Sequence, residues 1–201
     1  MSAKKPIYVL GTGLSHDGSS CILKDGEIIV AIEKERLSRI KHDGGNDYLT
    51  VEYCLNAAGI SVNDLALVVQ VANFEKDTIY PASFRGKRLF DDNCAVPFVT
   101  ISHHLAHAYS ALGTSPFETS NVMVIDGCGS PYAHCEDLDH AIIPQDVNAI
   151  PGLFGEKDSY YYFDGKQLIA LYKDFSIISL YVFKNACSYL IYFHIQIVLF
   201  V

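Results

Sequence analysis

Hydrophobic positions along the chain fall into runs and spacings that mark out its elements. Ile7-Tyr-Val-Leu-Gly11, Ser20-Cys-Ile-Leu-Lys24 and Glu27-Ile-Ile-Val-Ala-Ile-Glu33 are short apolar runs bounded by turn formers, and they predict three buried strands. The second and third are joined by Asp25-Gly26, the strongest short-range hairpin signal a sequence carries. From Asp47 to Ala58 the spacing becomes helical, with Leu49, Val51, Cys54, Leu55 and Ala58 on one side and Gly59 as the expected stop. Leu65 to Ala72 and Val96 to Ile101 predict two more strands, His103 to Leu112 a helix ended by Gly113 and Pro116, and Asn121 to Asp126 a further strand. Ser159 to Phe163 and Gln167 to Tyr172 form a last hairpin turning at Asp164-Gly165. The elements mix α and β, and no internal repeat interrupts them.

This pattern changes at about Phe175. Of the 38 Asp, Glu, Lys and Arg residues, 37 precede it, and only Lys184 follows. About 20 apolar residues suffice to span a bilayer, so a membrane anchor has to be weighed. Lys184, Asn185, Ser188, His194 and Gln196 interrupt the segment, and it lacks a strong basic flank, so a membrane span is not the expectation. The division expected is residues 1–174 as one patterned region and 175–201 as a hydrophobic tail that departs from it.

The 201 residues suffice for one large domain or two small ones; half are hydrophobic and 19% charged, which gives enough apolar surface for a packed core. The net charge of −8 and a pI near 5.4 argue against a broad basic surface for phosphate backbones or anionic lipid, so no nucleic-acid partner is expected. Six cysteines lack any Cys-x-x-Cys pair and read as free thiols. The first apolar run is broken too early by Gly11, Gly13, His16 and Asp17 for a signal peptide, which points to a reducing cytoplasm.

Three clusters carry candidate chemistry. Gly11-Thr-Gly-Leu-Ser-His16-Asp17-Gly-Ser-Ser20 is a glycine- and serine-rich turn between strands, which is neither a dinucleotide fingerprint nor a Walker loop; an ordinary tight turn explains its glycines, while His16 can exchange a proton near neutral pH. In Ser102-His-His-Leu-Ala-His107, His103 and His107 stand four apart and so share one helix face, where both imidazoles can reach a single metal ion. No glutamate stands where a metalloprotease helix needs its base, and His104 points off that face into a structural or supporting role. Val124-Ile-Asp126-Gly-Cys-Gly129 ends a strand in a carboxylate followed by bare backbone. By itself this is an ordinary Asp-Gly turn; together with His103 and His107 it completes a two-histidine, one-carboxylate set suited to Fe(II) and related divalent ions.

Taken together, Ser15-His16-Asp17-Gly-Ser-Ser20, the block from Glu33 to Asp43 containing Arg39-Ile-Lys41-His42-Asp43, His103-His-Leu-Ala-His107-Ala and Val124-Ile-Asp126-Gly resemble the NodU-type carbamoyltransferase family over roughly residues 5 to 174. The resemblance implies an α/β fold, part of an ATPase-like domain of the actin, Hsp70 and sugar kinase superfamily with a ribonuclease H-like core, related to proteins that make threonylcarbamoyl-adenosine in tRNA. In that family a C-terminal YrdC-like domain makes carbamoyl-adenylate from carbamoyl phosphate and ATP, and the N-terminal domain passes the carbamoyl group to a substrate hydroxyl. The resemblance assigns His103, His107 and Asp126 as metal ligands, normally for iron, His16 to the transfer site as a catalytic residue, and Lys41 to the neighbourhood of the bound adenylate.

The expected function is therefore that of the N-terminal part of an O-carbamoyltransferase, working with a divalent metal, a small-molecule hydroxyl acceptor and a separate YrdC-like domain or chain. Family chains are far longer, so residues 1–201 by themselves are expected not to form carbamoyl-adenylate. Two other classes stay open on the residues alone: a non-catalytic metal- or nucleotide-binding remnant, and an accessory protein anchored by its tail.

Overall fold

The turn at residues 25–26 is dictated by its own two residues. Asp25 and Gly26 both adopt positive φ, 52° and 91°, as a two-residue hairpin turn of the favoured hand requires. The Asp25 carboxylate accepts the N–H of Ile7 at 3.0 Å. In this computed structural model, which describes residues 5–13, 17–44, 47–71, 95–126, 129–144, 146–147 and 154–177, the turn joins β2 (Ser19–Lys24) to β3 (Glu27–Glu33), and β1 (Tyr8–Gly13) pairs antiparallel with β2. Helix α1 (Lys34–Ser38) follows β3 without a break and ends at Arg39 in the left-handed region.

Helix α2 (Tyr48–Ala58) stops at Gly59, whose φ of 66° lets its N–H reach the Asn56 carbonyl while Ile60 N–H reaches that of Leu55. The chain then returns as β4 (Leu65–Val71), parallel to β1, with β5 (Phe98–Ile101) beside it. The sheet order is β3-β2-β1-β4-β5. Leu10, Ile22 and Val68 from the strands and Val51, Cys54 and Leu55 from α2 make its core.

Two compact units divide the chain, Met1–Thr100 and Ile101–Val201. In the second, α3 (His103–Gly113) precedes β6 (Ser120–Ile125), and β7 (Phe154–Phe163) and β8 (Leu168–Ile177) complete an antiparallel sheet in the order β6-β7-β8. Leu105 and Ala108 of α3 pack on Val122, Val124, Tyr161 and Ala170. The β7–β8 turn has Gly165 at φ 94° and the Asp164 carboxylate accepting the N–H groups of Lys166 and Gln167.

The mixed α/β class is as expected, and in the first sheet three antiparallel strands, β3, β2 and β1, continue into the parallel strand β4. Helix α3 differs from expectation in running through Gly113 and stopping at Thr114. The Thr114 hydroxyl donates to carbonyls of the last turn, at Ser110 and Ala111, and so closes the helix without a glycine. His16 and most of the tail, residues 178–201, lie outside the described residues. Among the described residues no helix is long and apolar enough to cross a membrane.

Candidate metal centre

Helix α3 begins at Ser102, whose extended backbone and side-chain oxygen, accepting from Leu105 N–H at 3.4 Å, form an N-cap. The preceding donors are also taken. Both Glu136 carboxylate oxygens accept the Ser102 N–H, at 2.9 and 3.1 Å; Ser130 Oγ accepts that of His103 at 2.9 Å, and Glu156 Oε2 that of His104 at 3.2 Å. Negative groups at a helix N-terminus meet the positive end of its dipole as well as its unpaired N–H groups. The first turn of α3 is thereby held at each of its first four amides.

From that turn His103 and His107 project on one face, their rings edge to face with centroids 4.4 Å apart and their Nε2 atoms 2.9 Å apart. Asp126, just past the end of β6, brings Oδ2 to 2.7 Å from His103 Nε2. All three ligand-type atoms lie within 4.8 Å of one another. Ligands bonded to one ion at 2.0–2.1 Å and at right angles stand about 2.9 Å apart, so these contacts match neighbouring positions on a common ion. The donor set, two imidazoles and a carboxylate, is that of Fe(II) and related divalent metals. His103 keeps 22% of its side chain exposed, so the face is not sealed from further ligands.

His104 turns the other way, fully buried, with Nδ1 2.7 Å from Ser159 Oγ. Burial lowers its pKa and favours the neutral ring. The structural role expected for it fits that position.

Below the helix lies a group of charges that hydrophobic patterning does not reveal. Lys173, with no exposed side-chain surface, has its ammonium 2.7 Å from Glu156 Oε1 and 2.5 and 2.7 Å from the two oxygens of Asp137. Tyr161 donates its hydroxyl to the same aspartate at 2.9 Å. Burial works to raise the Glu156 carboxyl, but its neighbours His104 and the Lys173 ammonium, with the His104 N–H it accepts, pull it down to about 2. Burial likewise opposes the charge on Lys173 and is outweighed by Glu156, Cys135 and Asp137, which hold its pKa up. Cys135, Asp137 and Glu156 also bring ligand-type atoms together. Burial pushes the Cys135 thiol far up, and the ammonium is already paired with both carboxylates, so this group is an ion-paired core.

In the first unit Lys41 is exposed on the turn after α1. That turn folds back on residues 17–18: His42 Nδ1 lies 2.7 Å from Asp17 Oδ1, Gly18 N–H donates to Asp43 O at 2.9 Å, and the buried Lys34 ammonium donates to Asp43 Oδ1 at 2.9 Å and Gly44 O at 2.7 Å. Asp17 and Gly18 of the first sequence block and the block Glu33–Asp43 are therefore fastened to one another. Asp17, Glu35 and His42 also bring ligand-type atoms within 4.8 Å, and the His42 N–H to Glu35 Oε2 and ring to Asp17 contacts account for that convergence as loop fastening.

The family described as carbamoyltransferase N-terminus matches residues 9–84. The NodU-type resemblance stands. Nodulation protein NolNO of Sinorhizobium fredii is 33% identical over 134 residues, which covers 57% of this chain and 20% of the relative. An uncharacterized protein of Synechocystis is 29% identical over 157 residues, 61% of this chain and 26% of that one. The chain thus spans about a fifth to a quarter of the length of these relatives, so the carbamoyltransferase match describes an N-terminal part. Among solved structures, the activator of the 2-hydroxyisocaproyl-CoA dehydratase from Clostridium difficile with bound ADPNP is similar at a TM-score of 0.38 and 18% identity, over 61% of this chain and 38% of that one.

Proposed function

We infer that this chain contributes the metal-holding part of an O-carbamoyltransferase, in which a carbamoyl group passes from carbamoyl-adenylate to the hydroxyl of a small-molecule acceptor. The observation that carries this reading is the convergence of His103 Nε2, His107 Nε2 and Asp126 Oδ2 at spacings that fit one divalent ion, in a chain whose N-terminal residues match carbamoyltransferases. A divalent ion bound there supplies positive charge to neutralise a phosphate and orient the leaving group.

The protein's own groups divide the remaining work. His103 and His107 present imidazole nitrogens from one helix face, and Asp126 supplies the negative charge that a dication requires. His16 is assigned the acceptor hydroxyl's proton, which a histidine can take near neutral pH. Lys41, exposed and free to extend, is assigned the anionic adenylate. The cytoplasm and a separate YrdC-like domain or chain complete the proposed setting.

Metal analysis of the purified full chain tests the reading. Loaded with Fe(II) under anaerobic conditions, the wild type is expected to hold about one ion per chain, and the His103→Ala, His107→Ala double variant to lose it. Equal metal content in the two would refute the site.

A further inference from the structure

We propose that Glu156 is the positioning residue of the metal centre, a single buried carboxylate that fixes the segments carrying all three ligands. This inference rests on the metal reading above and extends it to a residue one layer away. The α3 turn carrying His103 and His107 is held to Glu156 directly, through His104 N–H to Oε2 at 3.2 Å, and indirectly through Ser130, whose Oγ accepts His103 N–H. The strand end carrying Asp126 is held to the same place. Ser130 N–H donates to Glu156 Oε2 at 2.9 Å, Glu156 N–H to Ser130 O at 3.0 Å, Gly129 N–H to Glu156 O at 2.8 Å and Asp126 N–H to Lys157 O at 3.1 Å.

Glu156 thus uses one side-chain oxygen for both segments, and its other oxygen faces the Lys173 ammonium at 2.7 Å. That pairing fixes the carboxylate's rotation and keeps it charged in a place without water. Gly129 shows how closely the parts fit. A Cβ there would stand 2.7 Å from Glu156 Oε2 and 2.7 Å from His104 Cδ2, so the backbone beside the carboxylate has room for glycine alone. Core packing of β7 would be served by any apolar side chain at position 156, whereas gathering N–H donors from two segments requires an acceptor.

Partners that orient metal ligands typically change metal affinity roughly 10- to 100-fold when replaced. The test is Co(II) binding to the full chain, read as Kd and as the visible d–d spectrum, with folding checked by far-UV circular dichroism. Glu156→Gln is expected to weaken Co(II) binding by roughly 10- to 100-fold and to shift the spectrum, because an amide facing Lys173 turns a donor toward a donor and loses its fixed rotation. Ser130→Ala, which removes only the acceptor for His103 N–H, is expected to weaken binding by a smaller factor, and it decides the matter alone if Glu156→Gln does not fold. Val122→Ala, a core truncation in the same unit, is expected to lower stability and leave both affinity and spectrum unchanged.

Wild-type affinity and spectrum in a folded Glu156→Gln, or in Ser130→Ala where that variant decides, would overturn the proposal while leaving the metal site intact, and so would equal weakening by Val122→Ala. Wild-type protein that binds no more Co(II) than the His103→Ala, His107→Ala variant would instead overturn the site itself.

Discussion

Replacing Lys173 by methionine removes the one cation between Glu156 and Asp137 without opening a large cavity, since methionine fills most of the lysine stem's volume. The Glu156 side chain has no exposed surface and that of Asp137 keeps 11%, so the charge left at Glu156 has no water to turn to. Breaking a buried pair by removing one partner costs about 3–5 kcal/mol. A second route gives a similar figure: a carboxyl held at about 2 against an ordinary 4.5 prefers its charged form by about 3 kcal/mol, to which Lys173 is one contributor. Against a typical domain stability of about 5–15 kcal/mol the loss is large. Urea unfolding of the full chain followed by far-UV circular dichroism measures it, and hydrogen exchange at the amides of β6, β7 and β8 shows where it falls. The Lys173→Met, Glu156→Gln double variant leaves no isolated charge at position 156 and is expected to be the more stable of the two. A Lys173→Met loss under about 1 kcal/mol, or a double variant no better than the single, would refute a buried ion pair of the strength argued here.

Gly129→Ala forces a methyl against Glu156 and His104 and is expected to cost about 1–3 kcal/mol, visible as a lower thermal midpoint; an unchanged midpoint would mean the contact is slack. The Cys54 thiol is raised to about 11, by burial first and then by Cys21, so at pH 8 only about 0.1% is thiolate and iodoacetamide should label it on unfolding and hardly before. Labelling of native protein at the rate of a free thiol would contradict that. Glu156 has its folded pKa below its ordinary one, so its stabilisation is full above about pH 4.5 and is lost as pH falls towards 2. The fall in urea midpoint between pH 6 and pH 3 should therefore be smaller in Glu156→Gln; an equal fall in both proteins would assign the acid sensitivity elsewhere.

What the sequence made legible were features with local causes. The Asp25-Gly26 and Asp164-Gly165 turns and the Gly59 stop each follow from a few adjacent residues, and the structure has them where expected. His103 and His107 were visible as a pair because four-residue spacing defines one helix face, and Asp126 because a strand led into it. Helix α1 went unseen because its Lys-Glu-Arg-Leu-Ser sequence reads as solvated charge, although Lys34 is buried against Asp43 and Gly44. Strand β7 starts at Phe154, five residues before the apolar alternation becomes recognisable. Its opening Gly-Glu-Lys-Asp looks like a surface turn, and the burial of Glu156 depends on Lys173 from the neighbouring strand, a pairing that no local pattern encodes. Ion pairs formed across a sheet invert the rule that charge faces water, and a hydropathy pattern is blind to them.

The two sheets place different demands on the order in which the chain folds. Strands β7 and β8 meet across a four-residue turn, and β1, β2 and β3 follow one another closely enough to pair as soon as they collapse. The parallel pair is another matter, since Leu10 must find Val68, 58 positions along the chain, with α2 laid down between them. Closing so long a loop costs entropy before any contact returns it, and such non-local pairings slow folding. Pulse-labelled amides of β4 should accordingly gain protection after those of β2 and β3, and the first sheet would stay incomplete until β4 and then β5 are in place.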